Sequence, residues 1–200
     1  MYLNCHSYYS LRYGTLSIDQ LLDHAESIGI SALALTDINT SMGIPEFVKK
    51  AKERNIRPIA GIEFRNDDEL LFIGIAKNRE GFRELNEYLT FHNLNKKKFE
   101  LEGLNFKHVI VIFPFGGMTG ADLKNSEFIG IRPQQINKLI TSEYRNYLDK
   151  LVVWQPVTFL NEKSWLIHKC LRAIDHNTIL SKLQPNQFAN QNEIMLPIKN

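Results

Sequence analysis

The chain is poor in cysteine, in long apolar runs and in charge of one sign, and each shortage excludes something. Cys5 and Cys170 are its only 2 cysteines. They lie far apart and no secretory layout precedes them. They fit a reducing cytoplasmic setting better than a disulfide framework. The N-terminus lacks the basic-then-apolar order of a signal peptide. No apolar run approaches the ~20 residues that a bilayer-spanning helix needs, so no membrane partner is expected. Charge is close to balance, with 24 basic and 22 acidic residues and a net +2. Nothing in that balance argues for nucleic-acid binding. The basic run Lys96-Lys97-Lys98 reads as a solvated loop. Lys49, Lys50, Lys52 and Arg54 share one helix with Glu46 and Glu53, so direct DNA binding by this piece is expected to be weak and salt-sensitive at most. Internal repeats and long linkers are also missing.

What is present is enough to fold. Hydrophobic residues make up 44% and aromatics 10% of the 200 residues, which suits one domain with a buried core, or one domain with a small appendage. A capping-box pattern at Ser17 and Gln20 opens a helix over Ser17–Ser27, with Ile18, Leu21, Leu22, Ala25 and Ile28 at helical spacing and Gly29 as its stop. Pro45 begins a second helix, with Phe47, Val48 and Ala51 on its apolar face. Helices are also predicted from Arg79 to Leu89, over Pro133–Asp149, and over Asn161–Ile174 with Asn161 as cap. Strands are predicted at Ala32–Thr36, up to Glu63, at Leu70–Ala76, His108–Phe113, Glu127–Ile131 and Leu151–Trp154. This alternation gives an α/β fold with a largely parallel sheet, and the apolar runs suit strands covered on both faces. His6-Ser7-Tyr8-Tyr9 is not the glycine-rich turn of a dinucleotide-binding sheet, which favours a closed or distorted barrel. After Pro185 the chain turns polar and rich in Asn and Gln.

Three β-like runs lead to residues able to bind a metal or move a proton. The opening segment reaches His6, Ala32–Thr36 ends at Asp37, and Ile56–Ile62 ends at Glu63. In α/β barrels chemistry sits at the C-terminal strand ends. One imidazole and two carboxylates is a ligand set used by hydrolytic metal sites, though a multi-metal centre needs more donors. Each residue also has a plain structural role open to it. His6 can hydrogen-bond within its turn, Asp37 can cap a turn before Asn39-Thr40, and Glu63 can pair with Arg12, Arg57 or Arg65. His92 and His108 read as structural.

These segments resemble the PHP domain (polymerase and histidinol phosphatase), in particular the one at the N-terminus of bacterial DNA polymerase III alpha subunits. The carrying motifs are Asn4-Cys5-His6-Ser7-Tyr8-Tyr9-Ser10-Leu11, Ala34-Leu35-Thr36-Asp37-Ile38, Pro58-Ile59-Ala60-Gly61-Ile62-Glu63, and Ala76-Lys77-Asn78-Arg79-Glu80-Gly81-Phe82. The last of these points to the polymerase branch. The resemblance implies a distorted (β/α)7-type barrel with a mostly parallel sheet over residues 1–184, and a polar tail over 185–200 as a truncation point or the start of a next module.

Against the family's motifs, Asn4, Tyr13 and Ile38 stand where the resemblance places a histidine, an aspartate and a histidine, and Pro156 and Thr158 replace another aspartate and histidine. His6, Asp37 and Glu63 remain as vestigial metal candidates, with Asn4 weaker. The expectation is therefore a degenerate site with no cofactor, or one weakly bound zinc or manganese ion. Ile38, Tyr13, Pro156 and Phe159 are expected to fill the vacated space by packing. The implied role is a mainly structural or partner-docking N-terminal domain of a replicative DNA polymerase, not itself catalytic. The remainder of the alpha subunit would be its partner, with a proofreading exonuclease subunit as another, and DNA would be met only through the full-length enzyme. The alternatives are a metal-dependent phosphoesterase, proofreading or acting on a small phosphate ester, and a stand-alone binding protein.

Overall fold

A computed structural model describes residues 1–196. The chain runs β1 (Tyr2–Cys5), α1 (Ile18–Ser27), β2 (Ala32–Leu35), α2 (Ile44–Glu53), β3 (Arg57–Asn66), β4 (Glu69–Ala76), α3 (Arg79–Asn95), β5 (Val109–Pro114), β6 (Glu127–Ile131), α4 (Ile136–Leu139), β7 (Leu151–Val153) and α5 (Glu162–Asp175). The helices begin at their caps. Ser17 and Gln20 exchange side chain-to-backbone bonds of 2.9 and 3.1 Å at the head of α1. Asn78 accepts from the Gly81 N–H at α3, and Asn161 from that of Ser164 at α5.

Among the described residues the strands form one seven-stranded sheet in chain order, β1 to β7. Every neighbouring pair is parallel except those made by β4, which runs antiparallel to β3 and β5. The physical reason is the length of the connection. Only Asp67 and Asp68 separate β3 from β4, and Asp67 sits at φ 54°, a turn that can only reverse the chain. β1 carries a bulge. Tyr2 pairs with Leu33 and Cys5 with Leu35, so three steps on β1 oppose two on β2. Leu3 and Asn4 both end up on the inner side, Leu3 against the Ile59 and Ile73 cluster and Asn4 against Glu63.

The sheet curls back on itself just past β7. Val157 bridges Cys5 in parallel, with His6 N–H donating to Val157 O and Val157 N–H to Asn4 O, both at 2.9 Å. Closure places the first strand end beside residues 154–158. Outside the sheet, α1 and α2 cover Leu33 and Leu35 of β2, with Phe47 of α2 packed against them. Leu85 and Leu89 of α3 cover Phe64, Phe72, Val111 and Phe113. Ile73, Ile75, Ile112 and Trp154 pack together in the middle of the interior.

Several elements depart from the sequence pattern. The helix expected over Pro133–Asp149 is broken into a 3-10 turn, the four-residue α4 and two further 3-10 turns. Thr141 and Ser142 turn their hydroxyls back onto the carbonyls of Lys138 and Leu139, competing with helical bonding, and Ser142 is extended. The break lets buried Tyr144 reach the Met118 carbonyl at 2.6 Å. α3 runs to Asn95 rather than Leu89, and β3 passes Glu63 to end at Asn66. The polar segment after Pro185 lies against the barrel. Ile194 bridges Phe159, Met195 is buried, and Leu196 bonds Tyr2. Residues 197–200 of that segment lie outside the described residues. No helix among the described residues is long and apolar enough to cross a membrane.

Candidate metal centre

His6 follows β1, Asp37 follows β2, and Glu63 lies within β3 with its side chain turned inward, so closure of the sheet brings all three to one end. Two of them meet. His6 Nε2 lies 2.9 Å from Glu63 Oε2, and both side chains are fully buried. Asn4 joins them, donating to Glu63 Oε2 at 2.7 Å and to Thr36 Oγ1 at 2.9 Å, while its Oδ1 accepts from Trp154 Nε1 at 3.0 Å. Asp37 stands apart. It accepts from Ser7 N–H, Ser7 Oγ and Ser10 Oγ at 2.6–2.8 Å and so braces the loop between them. Burial pushes its carboxyl up, opposed by those serine bonds.

The contacts continue in both directions from His6 and Glu63. Arg65, two residues along the strand and so on the same face, donates from Nε to Glu63 Oε1. His6 Nδ1 lies 3.0 Å from Thr158 Oγ1, which donates to Glu193 Oε2 at 2.8 Å. Glu193 Oε1 in turn accepts from Arg132 Nη1 at 3.1 Å. The result is an unbroken line across the barrel: Arg132, Glu193, Thr158, His6, Glu63, Arg65. The Thr158 hydroxyl donates to Glu193, so its oxygen is left facing His6 Nδ1, while His6 Nε2 faces Glu63 Oε2 and, at 3.3 Å, the Asn4 amide nitrogen. Burial alone would raise the Glu63 carboxyl. Arg65 and His6, with the bonds from His6 and Asn4, outweigh burial and hold it well below the usual carboxylate range. Arg65 stays fully cationic, because Glu63 and Tyr13 overcome its own desolvation.

An aromatic wall encloses this line. The Tyr13 ring stands edge-on to His6 at 5.5 Å and to His168 at 4.6 Å, and the Arg65 guanidinium lies 4.6 Å above it. Burial leads the shifts that push the Tyr13 hydroxyl up to about 12. Phe159, with Ile38 partly buried beside it, completes the packing. His168 accepts at Nε2 from the Ala189 N–H, so its Nδ1 carries the proton and donates to Tyr13 O at 2.7 Å. Burial lowers its pKa to about 4.

The sequence reading named Arg65 among three partners for Glu63, and the structure selects it. Arg12 pairs instead with Asp175, and Arg57 lies at the other end of the barrel. Arg132, His168 and Glu193 were missed. Arg65 had a local signal in its two-residue spacing, whereas Glu193 sits in a polar tail with no pattern around it. His92 bonds the Tyr88 carbonyl inside an aromatic cluster, and His108 lies 3.3 Å from Asn78. Among the described residues no three His, Cys, Asp or Glu side chains are grouped to hold a metal ion. No buried side-chain nitrogen or oxygen among them lacks a hydrogen-bond partner. Above the line opens a cleft of about 1080 Å³, with Tyr8, Tyr9, Met42 and Asp67 on its walls and Tyr13 and Arg65 among its lining residues.

The PHP domain model matches residues 3–120. The DNA polymerase III subunit alpha of Ureaplasma parvum serovar 3 is 30% identical over 206 residues, covering 98% of this chain and 21% of the relative. That of Staphylococcus epidermidis (strain ATCC 12228) is 29% identical over 197 residues, covering 95% of this chain and 18% of the relative. The chain spans about a fifth of the length of these curated relatives. An amidohydrolase from Chromobacterium violaceum, with bound sulfate and no metal, overlaps 88% of this chain and 84% of its own at 13% identity and a TM-score of 0.39.

Proposed function

The chain belongs to the PHP domain family, and from that membership we propose that it serves as the N-terminal PHP module of a replicative DNA polymerase III alpha subunit, with a degenerate metal site and a structural role. The observation that carries this reading is the Arg65 guanidinium on Glu63, with every other donor around His6 already engaged by protein. A divalent ion needs oxygen and nitrogen lone pairs facing an open position, and a phosphoesterase centre needs them for two ions ~4 Å apart. His6 and Glu63 point at protein partners, Asp37 is committed to Ser7 and Ser10, and Ile38 has no donor atom. This donor set does not fit such a centre. A single zinc or manganese ion would have to displace Arg65 first.

On this reading the line of charges and the aromatic wall do mechanically what ions do elsewhere, tying strand ends to the closing segment. The partner is the remainder of the polymerase subunit, with a proofreading exonuclease subunit as a further one, and DNA is met through the full-length enzyme in the cytoplasm. The open cleft above Tyr13 and Arg65 is the one feature that favours the phosphoesterase reading instead. A colorimetric phosphoesterase assay with added manganese or zinc separates the two. No turnover above background is expected. Robust turnover that vanishes in Glu63→Ala would overturn the proposal.

A further inference from the structure

At the opposite end of the barrel from His6, the interior is not filled. Leu3, Ile59, Ile110, Phe128 and Val152, from five different strands, point inward and are each only partly buried. Ile75 and Ile112 form the floor beneath them, 5% and 2% exposed. Together with Ile44, Pro45 and Val48 of α2 and Phe82 of α3, which continue the wall past the sheet edge, they line a hollow of about 830 Å³ that is open at its mouth. Five half-covered apolar side chains converging on one concavity differ from the scattered exposed leucines of an ordinary surface. They form a preformed apolar socket, the usual shape of a binding site.

The mouth has one sign of charge. Arg57, Lys77 and Arg79 line it, all exposed, and no aspartate or glutamate does. None of the three makes an ion pair among the described residues, and only Lys77 has a side-chain partner, the Ser126 hydroxyl at 2.5 Å. Most other arginines on this nearly neutral chain are paired, as Arg12, Arg54, Arg83 and Arg172 are. Unpaired cations around an apolar socket complement a ligand that is apolar at its centre and anionic at its edges.

We propose that this socket is a docking site for an acidic peptide segment of a partner protein, which inserts one or two large apolar side chains between Ile59, Ile110 and Phe128 and sets its flanking carboxylates against Arg57, Lys77 and Arg79. The socket lies at the far end of the barrel from His6 and Glu63, so it stands whether or not the upper site binds metal. Apolar anchors in a desolvated pocket supply the affinity, and the charged rim sets which segments are accepted.

The test uses the whole chain and a fluorescein-labelled peptide, Glu-Glu-Leu-Phe-Leu-Glu-Glu, read by anisotropy. Binding with a Kd of roughly 10–100 µM is expected, weakened about tenfold when Arg57→Glu and Arg79→Glu are combined, and about tenfold when the peptide's apolar residues become alanine. Both arginines are exposed, so the double variant should keep the parent's melting temperature. Oleate and an oligodeoxythymidylate serve as competitors of the other two chemistries. No binding at millimolar peptide overturns the proposal. So does binding indifferent to the arginine reversals or to the alanine peptide, and so does displacement of the peptide by either competitor at lower concentration than by unlabelled peptide.

Discussion

Replacing Arg65 with methionine removes the guanidinium that faces Glu63 Oε1 and leaves the rest of the contact line in place. Glu63 is fully buried, so its carboxylate cannot turn to water for a substitute. Removing one partner of a buried pair costs about 3–5 kcal/mol, because the remaining charge stays desolvated. For a domain of this size each kcal/mol moves the melting temperature about 2–4 °C, so Arg65→Met should lower it by roughly 6–20 °C. Adding Glu63→Gln removes the stranded charge and should recover at least half of that loss, since neutralised pairs of similar volume are far better tolerated than broken ones. The acid limb gives a second readout. Glu63 has a folded pKa below its ordinary 4.5, so its contribution is present above about pH 4.5 and is lost as pH falls toward the folded value. The double variant should lack that part of the acid loss. Thermal melts from pH 3 to 8 on the parent, both single variants and the double variant test the cycle. A loss under about 1 kcal/mol in Arg65→Met, or no recovery in the double variant, would refute the view that Arg65 compensates Glu63.

Three further outcomes follow from the same packing. His168 is held neutral, so its contribution is present above its ordinary pKa of 6.5 and is lost as pH falls toward about 4; its ring resonances in NMR should titrate near the lower value, and a midpoint above 6 would contradict the geometry. Phe159→Ala removes a fully buried ring seated 5.0 Å from His168, and should cost about 3–5 kcal/mol in chemical denaturation. Excess EDTA should leave the melting temperature unchanged, whereas a drop of several degrees would signal a resident structural ion.

Much of the fold was legible because its signals are local. The caps at Ser17 and Asn161 and the apolar periodicity of α1 and α2 lie within a few residues of the elements they start. The break after Leu139 was not legible. It depends on Tyr144 having a core position to occupy, and that position is built by Met118 and Phe115. The reversal at β4 had a short-range cause in the Asp67-Asp68 turn, but two apolar runs in succession read equally well as parallel strands until that turn is seen.

Side-chain chemistry at the upper end was settled residue by residue. Ile38 has no donor, Asn4 offers an amide in place of an imidazole, and the groups legible near the strand ends are the His6 imidazole, the Asp37 and Glu63 carboxylates and the Arg65 guanidinium. Which of these would meet was decided only by closure of the sheet. His6 reaches Thr158 across 152 positions, and Thr158 reaches Glu193 across 35. Asp37, also buried and placed just past the end of β2, went to Ser7 and Ser10 instead. Residue identity limits which contacts are possible, but a pair this distant in the chain has no local pattern to mark it. Only packing, which must leave no buried charge or donor unpartnered, selects the contacts that form.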